Sequence, residues 1–449
     1  GGAFTLATVG GVYGSFGKAQ TVADAATTNR GGVTVSGIES IEGAYLRLGG
    51  IVGFAYPGTV LSNLTNAGDM TVDLQSKFSY YAVGGIAGSV ECGASSCVNE
   101  GSLRLNNNQL LTKGMCKIFV GGIVGINYRP TDDGPHIYED CANRAEIGFV
   151  TTDNAFKVLP SFTGGILGYT EHPVEVRNCE GAAYINVNNA NAKENGIFTA
   201  TGGIVGAVKG TAALIEKCHV TADMRHYQYN NTWDDPLSAA NGGGIVGCAL
   251  GADEVNRIAI TGCSCSGMVE SKRSGAAGIV GYARFSDISD CGFTGGIEGS
   301  GPHFAGGIAG TLANSTIAGC TVKAKNIYGH NASSPSLIGV SGIAAYVVGV
   351  SSVSDCKAYA TLIRNSTVLG TEDASVTPDN LFGMGMIVGI DAGTTTVTNC
   401  GVGGSFYLGA SEKPQELILT LDADSYAKGI IGSGKTATVG GCYYWNGEE

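Results

Sequence analysis

A five-residue phrase, Gly-Gly-Ile-Val-Gly or a close variant, recurs along the chain and constrains its fold more than any other feature. It stands at 49–53, 84–88, 121–125, 164–168, 202–206, 243–247, 277–281, 306–310, 341–345, 385–389 and 428–432, with a weaker copy, Gly-Gly-Val-Tyr-Gly, at 10–14. Successive copies are 29 residues apart at the closest (Ile279 to Ile308) and 44 at the widest (Ile343 to Ile387). Self-similarity at such a period marks a solenoid, a propeller or another array, whose units bury their apolar residues only against one another.

A second signal follows each phrase. Cys97, Cys141, Cys179, Cys218, Cys263, Cys291, Cys320, Cys356, Cys400 and Cys442 each trail their unit's Ile by 11 to 18 residues, and Leu64 holds the same place after Asn63. Three positions before most of these cysteines stands an apolar residue, such as Val176, Ile215, Ile260 or Val397. Six positions after most stands another, such as Leu103, Ile147, Ile185 or Val269. Residues three apart in a flat strand point to opposite faces, so both can be buried only if the chain bends between them. The residue just before the cysteine is usually Asn, Asp or Gly, the types that tolerate left-handed backbone. A corner is therefore expected there, with Lys217 filling it in the unit around Cys218. The glycine pair supplies a second corner, and Gly or Asn after the cysteine strand a third.

Each unit then reads as one coil of two or three short strands, stacked in parallel on its neighbours at about 4.8 Å. The expected fold class is all-β: a parallel β-helix or solenoid of about twelve coils. Its hand is expected to be right, the hand parallel crossovers prefer. A four-stranded propeller blade would also fit near 40 residues, but the glycine-rich phrase and the cysteine segment are too short to fill one. The whole chain, 1–449, reads as a single repeat solenoid. Residues 1–45 form a divergent N-terminal coil or cap, 46–427 the regular coils and 428–449 a C-terminal coil or cap. Helical periodicity is confined to short ambiguous stretches such as 415–424, and the widest spacings mark inserted loops.

Composition narrows the function. Glycine, at 73 of 449 residues, is more than twice its usual share, yet 43% of the chain is hydrophobic, which argues against disorder. Glycine does not recur every third residue, so collagen is excluded. The net charge is −12 with no block of Lys or Arg, which argues against a nucleic-acid partner. No apolar run reaches the roughly 18 residues of a membrane span, so no membrane insertion by this segment is expected. No signal peptide is visible, and Gly1-Gly2 reads as a trimmed start, with any signal or anchor removed.

The combination of GGIVG, an apolar-x-Asn/Asp-Cys segment and a following Gly-apolar stretch resembles the GLUG-motif repeat. Thr163–Ile185 and Gly385–Phe406 carry the resemblance best, and it covers most of 45–445. That repeat occurs in secreted and surface-attached bacterial proteins, some adhesin-like and some IgA-peptidase-like. The resemblance implies an extracellular or cell-surface solenoid with a role in adhesion. The His-Glu-x-x-His metalloprotease motif is absent, so peptidase activity is not implied.

Several constellations compete with this reading. Gly429 to Thr436 satisfies the P-loop pattern, but a P-loop needs a helix after its Lys-Thr, and here a repeat cysteine segment follows. Gly242 to Gly247 fits G-x-G-x-x-G and is explained by the repeat. The ten repeat cysteines lie one per coil, far from zinc-ligand spacing, and read as a ladder of buried thiols. Cys92, Cys116, Cys248 and Cys265 fall outside that register, so any disulfide is expected to use one of them. The six histidines lack ligand spacing and read mostly as surface or loop residues. Asp132-Asp133 and Asp234-Asp235 could flank a glycosidic bond or be solvated turns. In the segment 224–237, Tyr227, Tyr229 and Trp233 lie beside Asp234 and Asp235, a set suited to sugar rings or a protein interface. These five are the expected ligand-binding residues, against the plainer reading that the rings cover the solenoid's edge. Tyr443, Tyr444 and Trp445 read as an end cover.

The expectation is a non-enzymatic extracellular or cell-surface bacterial protein, with no catalytic residues, no metal and no cofactor. Its partner would be a host or dietary glycan or a surface protein. The alternative is a polysaccharide-degrading lyase or hydrolase on the same scaffold, which would need charged side chains from adjacent coils converging in one groove.

Overall fold

The computed structural model describes residues 6–16, 21–22, 26–36, 44–74, 78–107, 117–128, 134–151, 161–189, 199–228, 240–272, 275–298, 304–331, 338–366, 383–409, 416–434 and 437–448. The chain winds into a parallel β-solenoid with four sheets running along it. Among the described residues the first has eleven strands, from Leu6–Gly10 to Met384–Gly385, and the second and third have twelve each. The fourth has 21 and gathers the strands that follow each cysteine. Twelve strands in the second sheet, from Tyr13–Phe16 to Ile431–Ser433, correspond to twelve coils. Among the described residues the pairings between coils are parallel, as the repeat reading requires and a propeller does not allow. The exception is Glu416–Leu421, antiparallel to Gly401–Gly409. That strand corrects the ambiguous helical stretch at 415–424.

One coil contains more strands than the two or three expected. Thr199–Gly202, Val205–Lys209, Ala213–Glu216, His219–Val220 and Met224–Gln228 lie in the first, second, third and twice in the fourth sheet. The two corners marked in sequence are constant. From the first sheet to the second only two residues intervene, as between Gly202 and Val205 or Gly385 and Val388. Around the cysteine two residues again intervene, as between Glu216 and His219 or Thr398 and Gly401. The other two junctions vary. Between the fourth sheet and the next coil's first sheet, Lys272 and Gly275 are three positions apart, but Ser366 and Met384 are eighteen. Between the second and third sheets the gap runs from Val348–Val350 to Asn127–His136.

The constant corners have different physical causes. Neither Gly202 nor Gly203 takes a positive φ; both are needed for space. A Cβ on Gly202 would lie 2.0 Å from the Val205 carbonyl oxygen, and one on Gly203 would lie 2.2 Å from that of Gly244 and 2.7 Å from Val220 Cγ2. The close approach lets the Ile245 carbonyl accept from both Ile204 N–H and Val205 N–H, each at 3.0 Å. At the cysteine corner the requirement is backbone conformation. Asn63, Asp140, Asn178, Lys217, Asp290, Asp355 and Asn399 have φ between 51° and 56°, which costs non-glycine residues energy. This bend puts Val176 and Cys179, at 0% and 1% exposure, on the same interior side.

The interior is one continuous apolar cluster reaching from Val35 to Ile430, with the phrase isoleucines and the ladder cysteines in it. Leu64 takes the cysteine place and is fully buried. At the fixed corners the second glycine abuts the side chain two positions after the cysteine: Asn66, Asn99 and Asn143 meet Gly50, Gly85 and Gly122. These amides form an interior row that the repeat pattern did not disclose. Asn29 Nδ2 donates to Asn66 Oδ1 at 2.9 Å, Asn66 to Asn99 at 3.0 Å and Asn99 to Asn143 at 2.8 Å. The row ends at Gly181, and further along the same position is Val220 and then Cys265. That register accounts for Cys265, while Cys248 belongs to a second apolar cluster with Phe119, Phe162, Tyr169 and Tyr282.

Thirteen cysteines are described and all are free. Cys92, Cys248 and Cys265, the positions any disulfide was expected to use, lie buried as thiols among apolar neighbours; Cys116 is outside the described residues. Burial pushes the Cys92 and Cys265 thiols up to about 12. Two histidines depart from the surface or loop placement expected of most of the six. His226 is fully buried and His172 nearly so, because His226 shares an inward-facing register with Val187 and bonds Thr201 Oγ1 at 2.8 Å through Nδ1.

Candidate binding face

The five residues expected to bind ligand are not brought together within the described part of the chain. Tyr229, Trp233, Asp234 and Asp235 lie outside the described residues, as do Asp132 and Asp133. Tyr227 ends up half-buried on the fourth sheet, where its hydroxyl donates to Glu270 Oε2 at 3.2 Å. Arg225 donates to the same oxygen at 2.7 Å, and its guanidinium lies 5.0 Å from the Tyr227 ring centroid. Burial holds the Tyr227 hydroxyl above its ordinary range, with the Glu270 charge adding to the effect. Tyr227 thus supports an ion pair between adjacent coils.

A denser arrangement lies near the N-terminal end and was not picked out in sequence. In the strand Ala44–Gly49, Leu46 and Leu48 face the interior, so Tyr45 and Arg47 face outward. Arg47 lies with its guanidinium carbon 4.0 Å from the Phe54 ring centroid and 6.0 Å from that of Tyr128. Its Nε donates to Tyr80 Oη at 3.1 Å. Tyr45 meets Tyr80 at 4.5 Å between centroids, and Tyr56 meets Phe54 edge-on at 4.6 Å. Tyr45, Tyr56 and Tyr128 remain 41%, 41% and 45% exposed. Three rings from three coils thus meet one fixed cation, and Tyr45 and Tyr56 extend the cluster through Tyr80 and Phe54. The alternation Tyr-Leu-Arg-Leu is a signal for an outward Arg47, but Tyr80 and Tyr128 come from the next two coils and no local spacing signals them.

Beside this cluster the junctions between the second and third sheets of three successive coils leave a cavity of about 590 Å³, open to solvent. Pro57 to Leu61, Glu91 to Ser95 and Pro135 to Ile137 line it. Burial raises the Glu91 carboxyl above its ordinary value, while the Arg47 charge opposes the shift. His136 bonds Asn127 Oδ1 through Nδ1 at 2.8 Å, and its ring lies 4.4 Å from that of His172. Burial, assisted by His172, lowers His136 to about 4, so the ring is neutral at physiological pH.

Elsewhere on the described surface, charged side chains of adjacent coils pair with each other. Arg257 meets Asp287 at 2.8 Å, Arg144 meets Glu180 at 3.5 Å, and Arg177 meets Glu216 at 3.8 Å. Among the described residues no group of three His, Cys, Asp or Glu side chains could hold a metal ion, and no helix is long and apolar enough to cross a membrane. The P-loop match falls on a short 3₁₀ turn, Tyr426–Gly429, and the strand Ile431–Ser433; Lys435 and Thr436 are outside the described residues, and the next described element is the strand Thr438–Gly440. Trp445 packs on the last coils beneath Lys323 and Lys357, whose ammonium groups are 5.4 and 5.6 Å from its ring. No family model, no curated protein and no solved structure matches this chain.

Proposed function

We propose that this chain is a non-enzymatic binding solenoid of a bacterial exterior, and that it holds a glycan on the Arg47 face. The observation that carries the reading is the set of exposed tyrosines around a guanidinium already fixed by Phe54 and Tyr80. Tyrosine rings offer flat apolar faces to sugar carbon–hydrogen groups and a hydroxyl for hydrogen bonding, and they lose little side-chain entropy on binding. Arg47 is preorganised by its ring contacts, which lowers the cost of ordering it against a ligand. The resemblance to GLUG-motif repeats supports the extracellular or cell-surface setting and a host or dietary glycan as partner. The polysaccharide-degrading alternative requires unpaired charged groups in one groove, and the pairing of Arg177, Arg225 and Arg257 with carboxylates weighs against it.

The test is glycan-array binding of the intact chain beside a Tyr56→Ala/Tyr128→Ala double variant. Both rings are exposed, so the fold should tolerate their loss. A drop in signal of tenfold or more is expected. Equal signal from the two proteins, or no glycan bound by the intact chain, overturns the proposal.

A further inference from the structure

The cavity beside the Arg47 face owes its shape to one missing side chain. Leu61, Ala94 and Tyr138 are aligned in adjacent strands of the third sheet. One position earlier stand Val60, Gly93 and Ile137. Val60 and Ile137 are 48% and 44% exposed, and Gly93 between them leaves a notch two coil spacings wide, about 10 Å. A Cβ at Gly93 would lie 2.1 Å from the Ile137 carbonyl oxygen, so this backbone is seated too low for any side chain to fill the notch.

The polar groups on the cavity wall select a ligand chemistry. Thr59 is 5% exposed, and its Oγ1 has no hydrogen-bond partner among the described residues. With Nδ1 donating to Asn127 Oδ1, His136 keeps the Nε2 lone pair as an acceptor. Glu91 adds a carboxyl, and among the described residues no Lys or Arg belongs to the lining. An anion finds no partner of opposite charge there among the described residues. A free cation is disfavoured as well, because Arg47 already faces the Glu91 charge. What remains is a neutral ligand rich in hydroxyl donors, with apolar faces for Val60, Ile137, Pro57 and Pro135.

We infer that the Gly93 notch is a subsite for one neutral hexopyranose unit, seated between Val60 and Ile137 with its hydroxyls on Thr59, Glu91 and His136. The inference rests on the glycan-binding reading and adds the class of sugar and its place.

Calorimetric titration with cellotriose, maltotriose and mannotriose as neutral probes, and trigalacturonate as the acidic one, tests it. Thr59→Val removes the hydroxyl at nearly constant shape, and Ile137→Trp fills the notch from an exposed position. The intact chain should bind at least one neutral trisaccharide tenfold or more tightly than trigalacturonate, and both variants should weaken that binding at least tenfold. If both variants bind like the intact chain while Tyr56→Ala/Tyr128→Ala loses binding, the notch is overturned and the glycan reading stands. Preference for trigalacturonate, or no neutral trisaccharide bound, overturns the assignment of a neutral sugar. Absence of any glycan on the array overturns the wider reading itself.

Discussion

Asn99 Nδ2 donates to Asn143 Oδ1 at 2.8 Å across 44 residues of chain. The same nitrogen also donates to the carbonyl oxygen of Gly101 at 3.0 Å. Each amide in the row therefore joins two coils and closes a turn within its own. Asn99→Ala would leave Asn143 Oδ1 without that donor in an apolar interior and remove the acceptor used by Asn66. A loss of about 2–4 kcal/mol is expected, read as a lower denaturant midpoint. An unchanged midpoint would show that the row adds no stability.

The two glycine requirements make opposite demands. Gly203→Ala places a methyl group 2.2 Å from the Gly244 carbonyl oxygen, and several kcal/mol of destabilisation should follow because backbone, not a flexible side chain, is in the way. Gly210 has φ 72° and open space around a Cβ, so Gly210→Ala should cost only about 1 kcal/mol from backbone conformation. Thermal unfolding of the two variants should rank them in that order, and the reverse order would contradict the close approach of coils at the phrase corner.

The thiols should be hidden from reagents. The ladder cysteines from Cys97 to Cys400 are at most 1% exposed, whereas Cys442 is partly exposed. Alkylation with iodoacetamide and peptide mapping should modify Cys442 first among the described cysteines, and the rest only after unfolding. Rapid modification of Cys218 in the native protein would contradict the ladder.

Acid should weaken the fold through His226. Burial lowers this imidazole from 6.5 to about 4. Between those values the unfolded chain binds more protons than the folded one, so stability falls as pH drops from about 6.5 towards 4 and then levels off. The loss from this group is about 3 kcal/mol. Comparing His226→Leu with the parent from pH 7 to 4 isolates it: the variant's melting temperature should fall less. Parallel curves would rule out a buried neutral ring.

The amino-acid pattern revealed the elements whose physics is local. A positive φ before each cysteine, an apolar residue three positions earlier and a glycine pair recur because every coil must turn at the same two places. Lys217, with φ 51°, was identified by position alone, against its residue type. The Asn row was not seen, since only coils near the N-terminal end carry it and one amide per coil looks like an ordinary polar residue. The Arg47 face was missed for a different reason. Tyr80 and Tyr128 come from the two coils after that of Arg47, and nothing local distinguishes them from any outward strand residue. Conversely, the aromatic density of 224–237 stood out in sequence, yet its one described ring, Tyr227, serves an ion pair with Glu270.

The two-residue corners also determine how another molecule meets this one. Because the corners never lengthen, neighbouring coils stay about 4.8 Å apart, less than the breadth of a sugar ring with its substituents. Anything that touches the surface must touch at least two coils, and its contacts are drawn from segments some forty residues apart in the chain. Recognition on such a surface is a mosaic. No short linear peptide cut from this sequence would reproduce it, and an antibody raised against such a peptide would compete poorly for the intact face.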